Sequence, residues 1–235
     1  MSSKERNRKN MKKINPTKNK EWWHIKTPST KDLSVLTSVY NEKYGKKHNG
    51  LDLRLHDNTF PTEFTSILNQ FKNTKKILVV GANDGYEITF IKKVLPHAKI
   101  TALDVSTIAL EKLKNAFKEV EVVHQDMENT NFKDKEFDLY ISCRSINSTN
   151  VNVDRATEEA LRISKNIVVS VSNGYLIDGK IQKGLFDYET MEFDLDSPLR
   201  MKNSIIKKIQ DQPFDISEYE CSSEIFIVVK STKTL

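Results

Sequence analysis

Residues 77–91 read Ile77-Leu78-Val79-Val80-Gly81-Ala82-Asn83-Asp84-Gly85-Tyr86-Glu87-Ile88-Thr89-Phe90-Ile91, an apolar run that passes through a glycine turn into helical spacing. A strand apolar at every position is one buried on both faces, as in a parallel sheet covered by helices. Ile88, Ile91 and Leu95 mark the helix that follows, and Pro96 stops it. The turn Gly81–Gly85 is a ligand-binding turn by position, because ligands in such sheets collect at the carboxyl ends of strands, near helix N-termini. A dinucleotide calls for G-x-G-x-x-G, but Asn83 stands at the middle glycine and Tyr86 at the last. Asparagine tolerates left-handed backbone yet carries a side chain. The turn therefore disfavours a pyrophosphate and suits a nucleoside without phosphates.

Working outward, the same alternation continues. Residues 100–103 form a second strand, and Ser106 caps a helix carrying Ala109, Leu113, Ala116 and Phe117. Residues 120–123, 137–142 and 167–171 read as strands, with a helix over 154–163 between the last two. Alternating strands and helices argue a doubly wound α/β fold with a mostly parallel sheet. At the end, Ser197-Pro198 reads as an N-cap followed by a first-turn proline, opening a helix with Leu199, Ile205, Ile206 and Ile209. Residues 214–220 and 224–230 are then strands joined by Cys221-Ser222-Ser223. Three residues make a hairpin and are too few for a parallel crossover, so the sheet closes with one antiparallel strand, seven strands in all. Upstream, Leu33, Leu36, Val39 and Tyr40, and later Phe64, Ile67, Leu68 and Phe71, predict two helices of an N-terminal cap over 21–74, with a core over 75–235.

The chain has 235 residues, with 37 Lys+Arg, 32 Asp+Glu and a net charge of +5. Residues 1–50 hold 13 basic and 4 acidic side chains, leaving −4 for residues 51–235. Residues 1–20, with eight basic side chains and one acid, have too little to bury and are expected to be a disordered basic tail. No apolar run approaches the ~20 residues of a membrane span, and the basic N-terminus lacks a signal-peptide core. Two cysteines and five histidines without metal-ligand spacing argue against a disulfide framework or a structural metal, and a reducing cytoplasm is the expected location.

Two further acids stand at strand ends. Asp104 closes the second strand, where a carboxylate can accept from ribose hydroxyls, and Asp126 follows the third, where it can take an amino group. With this set, residues 76–171 resemble the class I S-adenosylmethionine-dependent methyltransferases. ILVVGANDGYEITFI is similar to the family's first motif, ITALDVSTIALEKLK to its second and VEVVHQDMENTNF to its third, while FDLYIS, the terminal helix and the closing hairpin complete the likeness. The resemblance implies S-adenosylmethionine as cofactor. Gly81, Ala82, Asn83 and Gly85 would line its methionine and ribose, Asp104 would hold the ribose, Val105 would pack on adenine, and Asp126 with Met127 would meet the adenine edge. Val79 stands where many members place an acid.

Methyl transfer from a sulfonium needs in-line positioning, and a base only when the acceptor must lose a proton, so no catalytic residue is assigned. Ser142-Cys143-Arg144-Ser145, at the end of the fourth strand, would face the donor methyl. Cys143 lacks the preceding proline of pyrimidine C5-methyltransferases and reads as a core cysteine; Arg144 could grip an acidic or phosphorylated substrate. Loop 173–196 reads as a substrate wall, with Asn173, Tyr175, Asp187, Tyr188 and Glu192 as its polar candidates, and the pre-core segment adds Trp22, Trp23, His24, His48, Arg54 and His56. The expected reaction is methyl transfer to O or N of a small molecule such as a sugar, metabolite or natural-product intermediate. An RNA methyltransferase using the basic tail, and a catalytically silent member acting as an interaction module, are the alternatives. The oligomeric state is not legible from the sequence.

Overall fold

The computed structural model describes residues 12–13, 32–45, 59–148, 150–177, 180–183, 185–187, 192–194 and 196–232. After the two-residue strand Lys12–Lys13, the described residues include the helices α1 (Leu33–Gly45) and α2 (Thr59–Leu68). The core then alternates: β1 (Lys76–Val80), α3 (Tyr86–Val94), β2 (Lys99–Asp104), α4 (Thr107–Ala116), β3 (Glu121–His124), β4 (Phe137–Cys143), α5 (Val153–Ile163) and β5 (Ser164–Ser172). After four short strands, α6 (Ser197–Ile209), β6 (Phe214–Glu220) and β7 (Glu224–Ser231) finish the domain.

Seven strands form one sheet in the order β6-β7-β5-β4-β1-β2-β3. β7 is antiparallel to both β5 and β6, and every other pair is parallel. The chain winds outward from β1 in both directions, so β1 has β2 on one side and β4 on the other. That reversal opens a crevice at the carboxyl ends of these three strands.

Alternation along β1 divides the core between the two faces of the sheet. Ile77 and Val79 join a cluster that includes Phe60, Phe64 and Ile67 of α2, Ile88 and Ile91 of α3, and Phe226. Leu78 and Val80 join the opposite cluster, with Ala156 and Ala160 of α5 and Ile205 and Ile209 of α6. Within the first cluster Phe64 stacks on Phe226 at 6.1 Å and Phe60 on Phe64 at 5.3 Å. The second helix expected of the cap is thus part of the core. By contrast, Leu36 is the one side chain of α1 that is fully buried among the described residues.

Two local expectations change. Ser197 lies inside α6, whose N-cap is Asp196 with no side-chain capping bond. Pro198 still falls in the first turn, where its missing N–H costs nothing, and the helix simply starts one residue earlier. The stretch 173–196 is not an open loop. Gly174–Ile177 pairs antiparallel with Lys180–Lys183, and Leu185–Asp187 with Glu192–Asp194. Lys12–Lys13, within the stretch expected to be a disordered tail, pairs with Glu192–Asp194, Lys13 opposite Glu192. Trp22, Trp23, His24, His48, Arg54, His56 and Tyr188 lie outside the described residues.

Candidate active site

Three strand ends build the site. At the end of β1, Gly81 and Ala82 both donate their N–H to the carbonyl of Leu103, at 2.8 and 3.2 Å, which folds the glycine turn onto β2. Gly81 takes φ +64° and Asn83 φ +48°, and Gly85 caps α3 at φ +91°. A side chain at Gly81 has no room, since a Cβ there would sit 2.0 Å from the Ser145 Oγ. At Gly85 it would meet the Phe117 ring at 2.7 Å. Both glycines are therefore required by conformation and by space.

At the end of β2, Asp104 is only 4% exposed. Its Oδ2 accepts from the Asn83 N–H at 3.0 Å and its Oδ1 from the Ser106 N–H at 2.9 Å. Burial raises the carboxyl above the usual range, opposed by these backbone N–H groups and by the nearby His124. An ionised carboxylate offers about four acceptor positions, and the backbone N–H groups of Asn83, Ser106 and Val105 do not fill all of them, so acceptor capacity remains for a ligand. Next to it, Ser106 caps α4 by accepting from the Ala109 N–H at 3.1 Å.

Past β3, the half-buried Asp126 accepts from the Glu128 N–H at 3.0 Å, and Met127 is buried. A cleft of about 610 Å³ lies here, lined by Leu33, His124, Asp126, Glu128, Asn131 and Arg155 among others. Its walls include Asp126 but none of the glycine turn.

At the end of β4, Arg144 is held at φ +59°, with its N–H donated to the Ser170 carbonyl at 3.1 Å. Ser145 then donates its hydroxyl to the Gly81 carbonyl at 3.2 Å, tying the β4 turn to the β1 turn. Positive φ in a non-glycine residue at such a place is strain concentrated at the crevice. Cys143 is buried at 6% exposure and in no disulfide. Ser170 in turn donates to the fully buried Glu224 of β7.

The structure brings Gly81, Ala82, Asn83, Gly85, Asp104 and Arg144 to one edge of the sheet, with Val105, Asp126 and Met127 on the adjoining strand ends. Asn173 is committed elsewhere: its N–H donates to the Ser223 carbonyl at 2.7 Å and its amide to Glu220 at 2.6 Å. Tyr175 lies on the short strand Gly174–Ile177. Among the described residues no cluster of histidine, cysteine and acidic side chains could hold a metal ion, and no helix is long and apolar enough to cross a membrane.

Sequence reasoning predicted the helix α1 but missed its polar face. Thr37, Tyr40, Asn41 and Tyr44 recur at i, i+3, i+4 and i+7, a hydrogen-bonding stripe on one helix face. Thr37 gives its own proton to the Leu33 carbonyl, so the Nε2–H of His124 donates both to Thr37 Oγ1 at 2.8 Å and to the Val105 carbonyl at 3.1 Å. Tyr40 donates to Asn150 at 2.8 Å, beyond β4.

Comparison with known proteins agrees with this arrangement. A family model described as a methyltransferase domain matches residues 77–166. No curated protein matches the sequence significantly. A SAM-dependent methyltransferase from Aquifex aeolicus shares the fold with TM-score 0.53 and 16% identity, over 75% of this chain and 95% of its own. The plantazolicin methyltransferase BpumL, solved with S-adenosylhomocysteine, does so with TM-score 0.58 and 13% identity, over 81% and 93%. SpnF, a cyclase, also shares it, with TM-score 0.53 and 12% identity over 72% and 80%. Residues 77–166 thus match a methyltransferase domain, and the chain shares the fold of S-adenosylmethionine-dependent methyltransferases.

Proposed function

We propose that this protein transfers the methyl group of S-adenosylmethionine to an oxygen or nitrogen atom of a small molecule. The observation that carries the cofactor half is Asp104, a buried carboxylate with acceptor capacity left over at the crevice, which fits a ribose diol. The Gly81–Gly85 turn would follow the methionine, Val105 would pack on adenine, and Asp126 with Met127 would meet its edge. When bound, the sulfonium supplies an electrophilic methyl whose departure needs no acid. The chain's own work is then to align the acceptor and exclude water. Arg144 and the strand carrying Tyr175 stand as the acceptor's wall, and the buried Cys143 takes no nucleophilic part.

Charge favours a small acceptor over a polymer. Residues 51–235 carry −4, which speaks for a small acceptor rather than a phosphate polymer. The net charge of +7 over residues 1–20 is the feature on which an RNA reading rests. BpumL, a neighbour in fold, is by name the plantazolicin methyltransferase. Methyl-tritiated S-adenosylmethionine incubated with fractionated cell extract decides the matter. Label should enter the low-molecular-mass fraction; label that enters RNA and is freed by ribonuclease would contradict this reading.

Asp104 also sets a pH dependence. Its raised folded pKa means that protonation favours the folded state: the contribution to stability is complete below the unfolded value near 4 and is lost as pH rises through the folded value. Ribose hydroxyls need the ionised form as acceptor. S-adenosylhomocysteine affinity should therefore fall on acidification at a pH above the ordinary aspartate range, and calorimetry at a series of pH values reads this out. A flat profile down to pH 4 would remove Asp104 from the ribose site.

A further inference from the structure

Asn41 projects from α1 into the first turn of α4 and uses both ends of its amide there. Its Oδ1 accepts from the Ser106 hydroxyl at 2.8 Å and from the Ile108 N–H at 3.1 Å, and its Nδ2 donates to Thr107 Oγ1 at 2.9 Å. Ser106 is the next link. Its hydroxyl proton goes to Asn41, its oxygen accepts from Ala109, and its backbone N–H holds Oδ1 of Asp104. Asn83 of the glycine turn holds the other carboxylate oxygen. One hydrogen-bonded chain thus runs from α1 through Ser106 and Asp104 to the glycine turn.

We propose that Asn41 is a positioning residue for the nucleoside of the cofactor, fixing Ser106 and through it the Asp104 carboxylate, and so makes docking of α1 and occupancy of the site favour each other. The inference rests on the placement of the ribose at Asp104 given above. Two features of α1 support it. Its docking is mostly polar, through Thr37, Tyr40, Asn41 and the Lys112 ammonium on the Tyr44 carbonyl, with Leu36 as its one fully buried side chain among the described residues. Hydrogen bonds of this kind exchange with water at small net cost, so such an element opens locally before the core does. Its contacts also reach both sides of the crevice, at Val105–Thr107 after β2 (through His124 and Asn41) and at Asn150 after β4. A ligand that fills the crevice under these conditions stabilises the docked helix by the same factor that the docked helix tightens the ligand.

The test uses the full chain and S-adenosylhomocysteine as probe, read by calorimetry, thermal melting and amide hydrogen exchange. Wild-type protein should gain protection across residues 33–45 when the probe binds. Asn41→Leu keeps the volume but removes all three hydrogen bonds. It should melt within a few degrees of wild type without ligand, bind the probe about tenfold more weakly, and lose the ligand-induced protection of α1. Asn41→Asp keeps both accepted bonds and places its charge at a helix N-terminus, where it is tolerated, so affinity at pH 8 should return to within about threefold of wild type. Tyr40→Phe, which removes the hydroxyl that donates to Asn150, should change affinity by less than threefold. An Asn41→Leu protein with wild-type affinity, or with unchanged ligand-induced protection, would overturn the proposal. Should that variant not fold, Asn41→Ala removes the same bonds and is judged by the same criteria. Wild-type protein that binds no probe at all would overturn the functional reading and this inference with it, whereas normal wild-type binding with an indifferent Asn41 overturns this inference alone.

Discussion

Asp104→Ala should weaken S-adenosylhomocysteine binding by about 1.5–3 kcal/mol, roughly ten- to a hundredfold, the range for hydrogen bonds to a charged group. The variant removes the acceptor of two ribose hydroxyls and also frees the N–H groups of Asn83 and Ser106, which now converge on the carboxylate. Those two donors lie beside the crevice and can find water, so the fold should survive with a modest loss of melting temperature. Calorimetry checks the affinity, and circular dichroism checks that the protein is folded. Unchanged affinity would remove Asp104 from the site. NADH should not compete in either protein, because Asn83 and Tyr86 occupy the places where a pyrophosphate turn needs glycine.

Gly81→Ala should act on the fold itself. The new Cβ would meet Ser145 Oγ at 2.0 Å and Ser145 Cβ at 2.3 Å, in a backbone conformation at φ +64°. Left-handed backbone costs an alanine about 1–2 kcal/mol, and forced overlap in a packed region about 1–3 kcal/mol more. The expected destabilisation is therefore about 2–5 kcal/mol, read from the urea midpoint, with loss of the Ser145 bond to the Gly81 carbonyl. Adding Ser145→Gly should restore the part that comes from overlap and leave the part that comes from φ. A double variant no more stable than Gly81→Ala would show that the contact with Ser145 is not the cause.

Much of this was readable from residues 76–171 because it is local. The unbroken apolar run of β1, the cap at Ser106, and the three-residue link between β6 and β7 each state their structure within a few residues. Asp104 was legible because a strand end is fixed by the strand before it. The polar face of α1 was not, since Asn41 finds its partners 65 to 67 residues later in the chain and nothing in its own neighbourhood names them. Ser145 was read only as one residue of the turn after β4, and its place against Gly81 depends on the pairing of β4 with β1. The strands within 173–196 are three or four residues long, too short for alternation to stand out from a loop. Asn173 looked like a substrate contact because it begins that stretch, but its amide answers to Glu220 across the closing hairpin.

Titration of S-adenosylhomocysteine into the full-length protein, followed by heat and by melting temperature, tests the central claim most directly. A single saturable site is expected, with a ligand excess of a hundred times the dissociation constant adding about 2.7 kcal/mol to folding stability and raising the melting temperature accordingly. No heat and no shift at millimolar ligand would contradict the assignment of Asp104 and the glycine turn as a cofactor site.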